Sequence, residues 1–402
     1  MLNKVKSSLS IFILHYLRFW ARLQLRKHRP TIVGITGTSG KTSTLHALHA
    51  AVKDQIPTKA SFKANSESGL PLNILNLSLK NYSWLSWLRA MLLAPTRLLT
   101  YWPKHELYIA EMAIDSPFSP KNMSYLLTIF KPDMGIFLNA GTVHSNNFDV
   151  LATARNPKER RAEIAKLTAN EKGKMIQALP NSGCAILNTD DKNVLAFRKL
   201  TEAKIITFGS TKTAEVRVVG YQPSLAGTQF QLKVLGKELS INLKCFALPE
   251  HYGLTLAAVV ACCLYLKLQP QEIKDNLEKN FSLPPGRASL LEGIGGSTIL
   301  DSSYNSSLEP LRDSLMLLST IAPRRKLALL GDMRELGQQT EQDHLQAAQL
   351  IAQHCDEVVL VGPQMKKFVL PILKGKKVNS HWVKSAELAA AYLKSVLQQD
   401  DL

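Results

Sequence analysis

The sequence predicts an α/β protein in two parts. The first is a P-loop-type domain with a mainly parallel sheet and a small antiparallel excursion, and the second is a Rossmann-like α/β domain. Three observations carry this reading. Apolar strand-like runs alternate with helical patterns from residue 31 to about 193, the rhythm of parallel βαβ units. A glycine-rich turn ending in Lys41-Thr42 follows the first of those runs. Finally, Leu283-Pro-Pro-Gly-Arg287 interrupts the chain before a second alternating pattern begins.

At 402 residues the chain is too long for one typical core. The expected division is a basic amphipathic N-terminal segment over 1–30, a central domain over 31–284 and a C-terminal domain over 285–402. A composition of 45% hydrophobic and 20% charged residues is that of a soluble globular protein, not a disordered one. The net charge of +17 suits anionic partners (nucleotides, nucleic acid or an anionic membrane) or reflects a general basic bias. The five cysteines form no C-x-x-C pair, which argues against a zinc ribbon and a disulfide framework and for a reducing cytoplasm.

The apolar, aromatic stretch 9–20 is flanked by Lys4, Lys6, Arg22, Arg26 and Lys27 and broken by His15 and Arg18. It is too short to span a bilayer, and no small-residue cleavage site follows it. It fits either a basic amphipathic helix on a membrane surface or a helix packed on the next domain. A second aromatic stretch, 82–102, joins the same surface or belongs to the core.

The first strand, 31–35, is β-branched and apolar. Further strands are expected at 107–110, 134–139 and 184–187. Residues 204–245 change character: the short alternating runs 216–219, 228–234 and 239–243 read as the antiparallel excursion, and a helix follows over 251–268. After the linker come a strand at 298–300, a helix at 311–320, a strand at 327–330, a helix at 341–354, a strand at 357–361 and a helix at 386–398. A two-lobed enzyme with its site in the cleft is the natural inference.

The chemistry concentrates at strand ends. In Gly37-Thr38-Ser39-Gly40-Lys41-Thr42-Ser43 the glycines allow backbone N–H groups to approach phosphate oxygens. The helix N-terminus adds partial positive charge, Lys41 reaches terminal phosphates, and the Thr42 hydroxyl suits Mg²⁺. Ile35 stands where the commoner form of this loop has its first glycine, and the competing reading is an ordinary strand–turn–helix junction. Glu111 and His144 follow two expected strands, where a doubly wound sheet binds ligands. They could hold a metal, act as base or acid, or be ordinary polar residues. Asn188-Thr-Asp-Asp191, Asp301-Ser-Ser-Tyr-Asn305 and Gly331-Asp-Met-Arg-Glu-Leu-Gly337 occupy other strand ends.

With these residues in hand, the chain resembles the Mur ligase family of ATP-dependent amide-forming enzymes from about residue 30 to its end. The motifs occur in the family's order: Gly37–Thr42, Asn65-Ser-Glu-Ser68-Gly-Leu-Pro-Leu72, Glu111-Met112, Asn139-Ala-Gly-Thr-Val-His144, Glu171-Lys-Gly173, Asn188–Asp191, Pro285-Gly-Arg287, Asp301–Asn305, and Gly331–Gly337 with His344. The last three groups favour a member that adds a dipeptide.

The resemblance implies formation of an acyl phosphate from ATP, then its capture by an amine, in peptidoglycan precursor synthesis. It assigns Lys41 to the β- and γ-phosphates, Thr42 and Glu111 to one Mg²⁺, and His144 to a second. Lys172 matches a lysine that many members carry as a metal-binding carbamate. Arg287 would stabilise the transferring phosphoryl group. Gly37 to Ser43, His251 and Asp301 would contact ATP, and Asn65, Ser68, Tyr304 and Asn305 the substrate. UDP-MurNAc-peptide and D-Ala-D-Ala are the implied substrates, with another acid and amine as the alternative, or a catalytically weak ATP-binding scaffold. Nucleic acid is not an expected partner. A cytoplasmic monomer is expected, with peripheral contact at the inner face of a membrane through 9–26 and 82–102.

Departures from the family are visible. About thirty residues precede the first strand, so a short form without the usual N-terminal UDP-sugar-binding domain is expected. The family's paired aspartates read Asp301-Ser302, its Gly-His-Asn reads Glu250-His-Tyr252, and the acid after the carbamylated lysine is Lys174. The chain stops at Asp401-Leu402, before the family's Lys-Gly-Ser segment, so either an incomplete sequence or a trimmed C-terminal domain is expected.

Overall fold

The computed structural model describes residues 2–402 apart from 80, 82, 142–145, 305, 323 and 335. His144 and Asn305 of the expected site, and Tyr82 at the edge of 82–102, therefore lie outside the described residues. The chain forms two compact units. Unit 1 holds Met1–Val218, Lys233–Leu239 and Leu254–Phe281, and unit 2 holds Val219–Leu232, Ser240–Gly253 and Ser282–Leu402.

Unit 1 begins with α1 (Leu2–His28), β1 (Thr31–Thr36), α2 (Lys41–Val52), β2 (Thr58–Ala60), α3 (Gly69–Ile74) and α4 (Trp84–Thr100). It continues through β3 (Leu107–Glu111), α5 (Met123–Leu126), β4 (Met134–Phe137), α6 (Asn146–Asp149), α7 (Pro157–Gln177), β5 (Cys184–Asn188), α8 (Lys192–Leu195) and β6 (Lys204–Gly209). β1 lies between β3 and β4 and pairs with both in parallel, Ile35 opposite Glu111 and Thr36 opposite Phe137. Helices cover both faces, so β1 is buried from Ile32 to Thr36 and reads as a continuous apolar run. The inner faces of α1 and α4 close one side: Leu17, Ala21, Ala90 and Ala94 share a core with Tyr108, Phe137 and Met175. Of the two readings open for the aromatic segments, packing against the domain therefore holds for one face of each helix.

The sequence expectation placed the antiparallel excursion from residue 204. The structure differs there: β6 pairs with β5 in parallel, Cys184 opposite Lys204. Four of the six residues of β6 are buried, and it pairs with β5 on one side and the strand that begins at Val216 on the other, so it is an interior strand. The excursion is β7 (Val216–Ser224), β8 (Gly227–Val234) and β9 (Lys237–Lys244). Two-residue connections can join only antiparallel neighbours, and Leu235 (φ 50°) with Gly236 (φ 82°) form the mirror-image turn that suits a twisted hairpin. The sheet order is β2-β3-β1-β4-β5-β6-β7-β8-β9. α9 (Tyr252–Tyr265) and α10 (Pro270–Asn280) follow. The Asn276 side chain of α10 donates to Ala51 O at 2.8 Å, tying α10 to α2.

Unit 2 opens with the antiparallel pair β10 (Ser289–Glu292) and β11 (Thr298–Asp301), Ser289 opposite Asp301. α11 (Leu308–Ile321), β12 (Leu327–Gly331), α12 (Thr340–His354), β13 (Glu357–Val361), α13 (Leu370–Leu373), β14 (Asn379–Val383) and α14 (Ala386–Val396) complete it. β12, β13 and β14 are parallel in that order. Leu311, Leu315, Leu318, Ile351, Val358 and Leu360 form its core. Arg325 anchors the last residues, its guanidinium pairing with Asp401 at 2.6 Å and Glu357 at 3.2 Å. The sequence reading did not anticipate β2, β10 or β14. Each is short, and β14, Asn-Ser-His-Trp-Val, carries polar residues where an apolar run is the usual signal.

Candidate functional site

The glycine loop stands between β1 and α2. Gly40 caps α2 at φ 81°, a left-handed conformation in which a Cβ is strained. The loop is braced from the end of β4. Asn139 Oδ1 accepts from the N–H groups of Thr38 and Ser39, both at 2.9 Å, and Asn139 Nδ2 donates to Ser39 O at 3.3 Å. The Thr38 hydroxyl accepts from Gly141 N at 2.8 Å. Lys41 folds back, its ammonium donating to Gly37 O at 2.9 Å and Thr38 O at 3.0 Å. The first turn of α2 carries no acidic residue, and a helix N-terminus of this kind favours an anion.

Glu111 closes β3 beside this loop and is buried. Its Oε2 accepts from the Thr42 hydroxyl at 2.9 Å, and its Oε1 from Asn65 Nδ2 at 3.1 Å. Its own N–H donates to Ser61 Oγ at 2.9 Å. Asn65 is fixed in turn by Ala113 N–H, which donates to Asn65 O at 3.0 Å. Ser68 stands at the N-terminus of α3. A carboxylate and a hydroxyl in contact are hard oxygen donors, and Mg²⁺ takes one or two carboxylates, with phosphate oxygens and water filling its octahedron. The residues present fit that ion. Among the described residues no cluster of three or more His, Cys, Asp or Glu side chains occurs, so no all-protein cage is offered.

Lys172 projects from α7 and is 4% exposed. Burial holds its ammonium well below the ordinary lysine range, the positive charge of Lys41 lowers it further, and Asp115 opposes both. The neighbours of Lys172 in sequence explain its setting. Glu171 Oε1 accepts from Met123 N at 3.0 Å and pairs through Oε2 with Lys174, fixing α5 on α7. Gly173 lets the Phe197 ring lie against the helix, where a Cβ would fall 2.0 Å from the ring.

Unit 2 gathers a second group. The Arg287 guanidinium lies over the Tyr304 ring, 4.2 Å from its centroid, and its buried Nε has no hydrogen-bond partner among the described residues. Gly286 (φ 78°) accepts from Tyr304 N–H at 3.1 Å, which joins the linker to the loop after β11. Asp301 Oδ1 shapes that loop by accepting from Ser303 N–H at 3.0 Å. His251 pairs with Asp313 of α11 at 2.6 Å. Buried His344 of α12 accepts from the N–H of Met333, in the loop after β12, through Nε2 at 3.3 Å and donates from Nδ1 to Thr340 O at 2.6 Å.

The structure thus brings Lys41, Thr42, Glu111 and Asn65 together in unit 1, and Arg287, Asp301 and Tyr304 in unit 2. Sequence reasoning gave Asn139 no role of its own and did not name Ser61. Asn139 had a signal, as the first residue of a motif at a strand end. Ser61 had none, because β2 before it was not recognised.

A glycine loop at the carboxyl end of a central parallel strand, a buried carboxylate on its threonine, and a separate Rossmann-like unit define a two-part α/β protein of the P-loop type. The chain belongs to the Mur ligase family: the Mur ligase middle domain matches residues 35–262, and the Mur ligase, glutamate ligase domain matches residues 286–402. The UDP-N-acetylmuramoyl-tripeptide--D-alanyl-D-alanine ligase of Mycobacterium tuberculosis (strain ATCC 25618 / H37Rv) is 27% identical over 342 residues, 83% of this chain and 58% of that protein. The Escherichia coli (strain K12) enzyme of the same name is 23% identical over 351 residues, 86% of this chain and 67% of that protein. The chain therefore spans 58% of the length of the mycobacterial relative. Among solved structures, the MurF ligase from Thermotoga maritima in complex with ADP superposes with a TM-score of 0.75 at 21% identity, covering 96% of this chain and 78% of that one. MurF from Acinetobacter baumannii gives 0.74 at 20% identity, covering 94% and 73%. These two structures share the fold.

Proposed function

We propose that the chain is an ATP-dependent amide-bond ligase that adds D-Ala-D-Ala to UDP-MurNAc-tripeptide in the cytoplasm. The observation that carries this is the Thr42–Glu111 contact beside the Lys41 loop, which suits a Mg²⁺-bound polyphosphate. The names of the relatives supply the substrates. In this reading residues 31–284 form the ATP-binding domain and 285–402 the C-terminal ligase domain.

The substrate carboxylate attacks the γ-phosphorus, ADP leaves, and an acyl phosphate forms. The amine then attacks the acyl carbon, and the tetrahedral intermediate collapses as the acyl C–O bond breaks, its electron pair leaving on inorganic phosphate and the nitrogen's proton passing to phosphate or water. The protein's part is positioning and charge neutralisation. Gly37 to Ser43 cradle the phosphates, and Lys41 swings from its loop carbonyls to the β- and γ-oxygens. Thr42 and Glu111 would hold Mg²⁺, which would supply charge screening to the phosphates. His144 would serve a second ion. Neutral Lys172 is the form of an amine that adds CO₂, so a carbamate there is consistent with its burial. Arg287 would stabilise the transferring phosphoryl group. His251 and Asp301 contact the nucleotide, and Asn65, Ser68, Tyr304 and Asn305 the substrate.

A second reading keeps the chemistry and gives it an acid carried at a membrane surface, through 9–26 and 82–102. The exposed aromatic and basic faces of α1 and α4 favour it.

The test is ADP release with ATP, UDP-MurNAc-tripeptide and D-Ala-D-Ala, each omitted in turn. Release that needs all three supports the first reading. Release only with another acid or amine overturns its substrates, and no turnover with any pair overturns the ligase.

A further inference from the structure

α1 and α4 lie side by side and run in the same direction. Tyr16 Oη donates to Met91 O at 3.1 Å, Gln24 Nε2 donates to Tyr101 O at 3.1 Å, and Lys27 lies over the Trp102 ring at 3.1 Å. Their inner faces are buried, and their outer faces are not what water favours. α4 exposes Trp84 (71%), Leu88 (44%), Leu92 (66%) and Leu99 (79%), one stripe at helical spacing, and Trp102 (69%) follows at its end. α1 exposes Phe12 and Phe19 together with Arg22 and Arg26. A groove of about 260 Å³ runs along α1 between Arg18, Arg22 and Arg26, with Phe19 as an apolar wall.

The charge of this surface is one-sided. The whole chain has 32 acidic residues, yet none falls in 1–53 or in 68–105. No helix among the described residues is long and apolar enough to cross a membrane. Leucines flanked by tryptophans, with guanidiniums alongside and no carboxylate, match the boundary between acyl chains and anionic headgroups. A second copy of the chain would bring two cationic faces together, at a cost in like-charge repulsion. A nucleic acid would answer the arginines and leave the leucine stripe in water.

We propose that α1 and α4 form an interfacial platform that seats unit 1 on an anionic lipid bilayer, the helices lying in the plane of the surface. Trp84 and Trp102 anchor the two ends of α4, about 25 Å apart by helix geometry. Leu88, Leu92 and Leu99 enter the acyl boundary, and Arg22 and Arg26 meet lipid phosphates. This deepens the reading in which the acid is carried at a membrane and rests on it only for the substrate.

The experiment is flotation of the full chain with vesicles of phosphatidylglycerol and phosphatidylethanolamine, against pure phosphatidylcholine, at low and high salt. Binding is expected on the anionic vesicles at low salt, weakened about tenfold or more at high salt. Leu88→Glu with Leu92→Glu, and separately Arg22→Glu with Arg26→Glu, are each expected to weaken it about tenfold or more. These residues are exposed, and matching circular dichroism and Tm values confirm folding. ADP release with soluble substrates should not change in either variant. Absence of flotation at low salt, or indifference to both double substitutions, overturns the platform. So does a concentration-dependent dimer, by sedimentation, that the leucine substitutions abolish. Flotation without turnover would retain the platform and remove the ligase; turnover without flotation would do the reverse.

Discussion

The Thr42 hydroxyl donates to Glu111 Oε2 at 2.9 Å, joining the first turn of α2 to the end of β3. Both groups are the kind that turn toward a hard cation when one arrives. Removing either therefore disturbs one shared ligand set, and their effects should not add. Glu111→Gln and Thr42→Val are each expected to raise the Mg²⁺ concentration for half-maximal ADP release by about 10–100-fold or more, and the double variant by less than the product. A Mg²⁺ titration of the four proteins checks this, and full additivity would separate the two residues.

Asn139 should act through the loop rather than through the reaction. Its amide holds the N–H groups of Thr38 and Ser39 and the carbonyl of Ser39. Asn139→Ala leaves those groups to water and a loosened loop, at a cost of about 1–3 kcal/mol in stability. The KM for ATP should rise more than kcat falls. Thermal unfolding with and without nucleotide, alongside the kinetics, measures both parts.

As the free amine, before any CO₂ adds, Lys172 gives stability a pH dependence whose sign is fixed. The unfolded amine stays protonated up to its ordinary value of 10.5, while burial keeps the folded one neutral far below that. The unfolded state binds more protons in that window, so Lys172 makes stability rise with pH through it and fall as pH drops toward the folded value. Lys172→Met should remove this slope and raise the Tm near neutral pH. Lys172→Ala should abolish turnover and its dependence on bicarbonate. Tm against pH and rate against bicarbonate are independent readouts.

Gly173 inverts the usual helix rule. In an exposed helix Gly→Ala stabilises by about 0.5–1 kcal/mol. Here the new methyl would meet the Phe197 ring at 2.0 Å, and overpacking of that kind costs about 1–3 kcal/mol. Gly173→Ala should therefore lower the Tm, and Gly173→Ala with Phe197→Leu should recover part of the loss. A rise in Tm for the single variant would show that the ring moves away freely.

Much of the fold was legible because its signals are local. β1, β3, β4 and β5 are apolar runs of strand length, and the glycine loop marks the junction after β1. β6 was misplaced because its parallel pairing with β5 is decided by packing in the sheet and not by its own pattern. β14 escaped because its support comes from β13, not from an apolar run of its own. Asn65 and Glu111 were both named from the sequence, but their hydrogen bond depends on β2 and β3 bringing them side by side.

The sequence alone determined the residue types of the site and the order of the elements, since glycine conformation, apolar periodicity and strand-end placement are properties of short segments. It also determined the charge asymmetry of the first hundred residues. Tertiary structure decided which oxygens meet Thr42, that Lys172 is buried where its charged form is disfavoured, and which faces of α1 and α4 stay exposed. Those depend on packing between segments dozens of residues apart, where burial and desolvation are set by neighbours that no local pattern records.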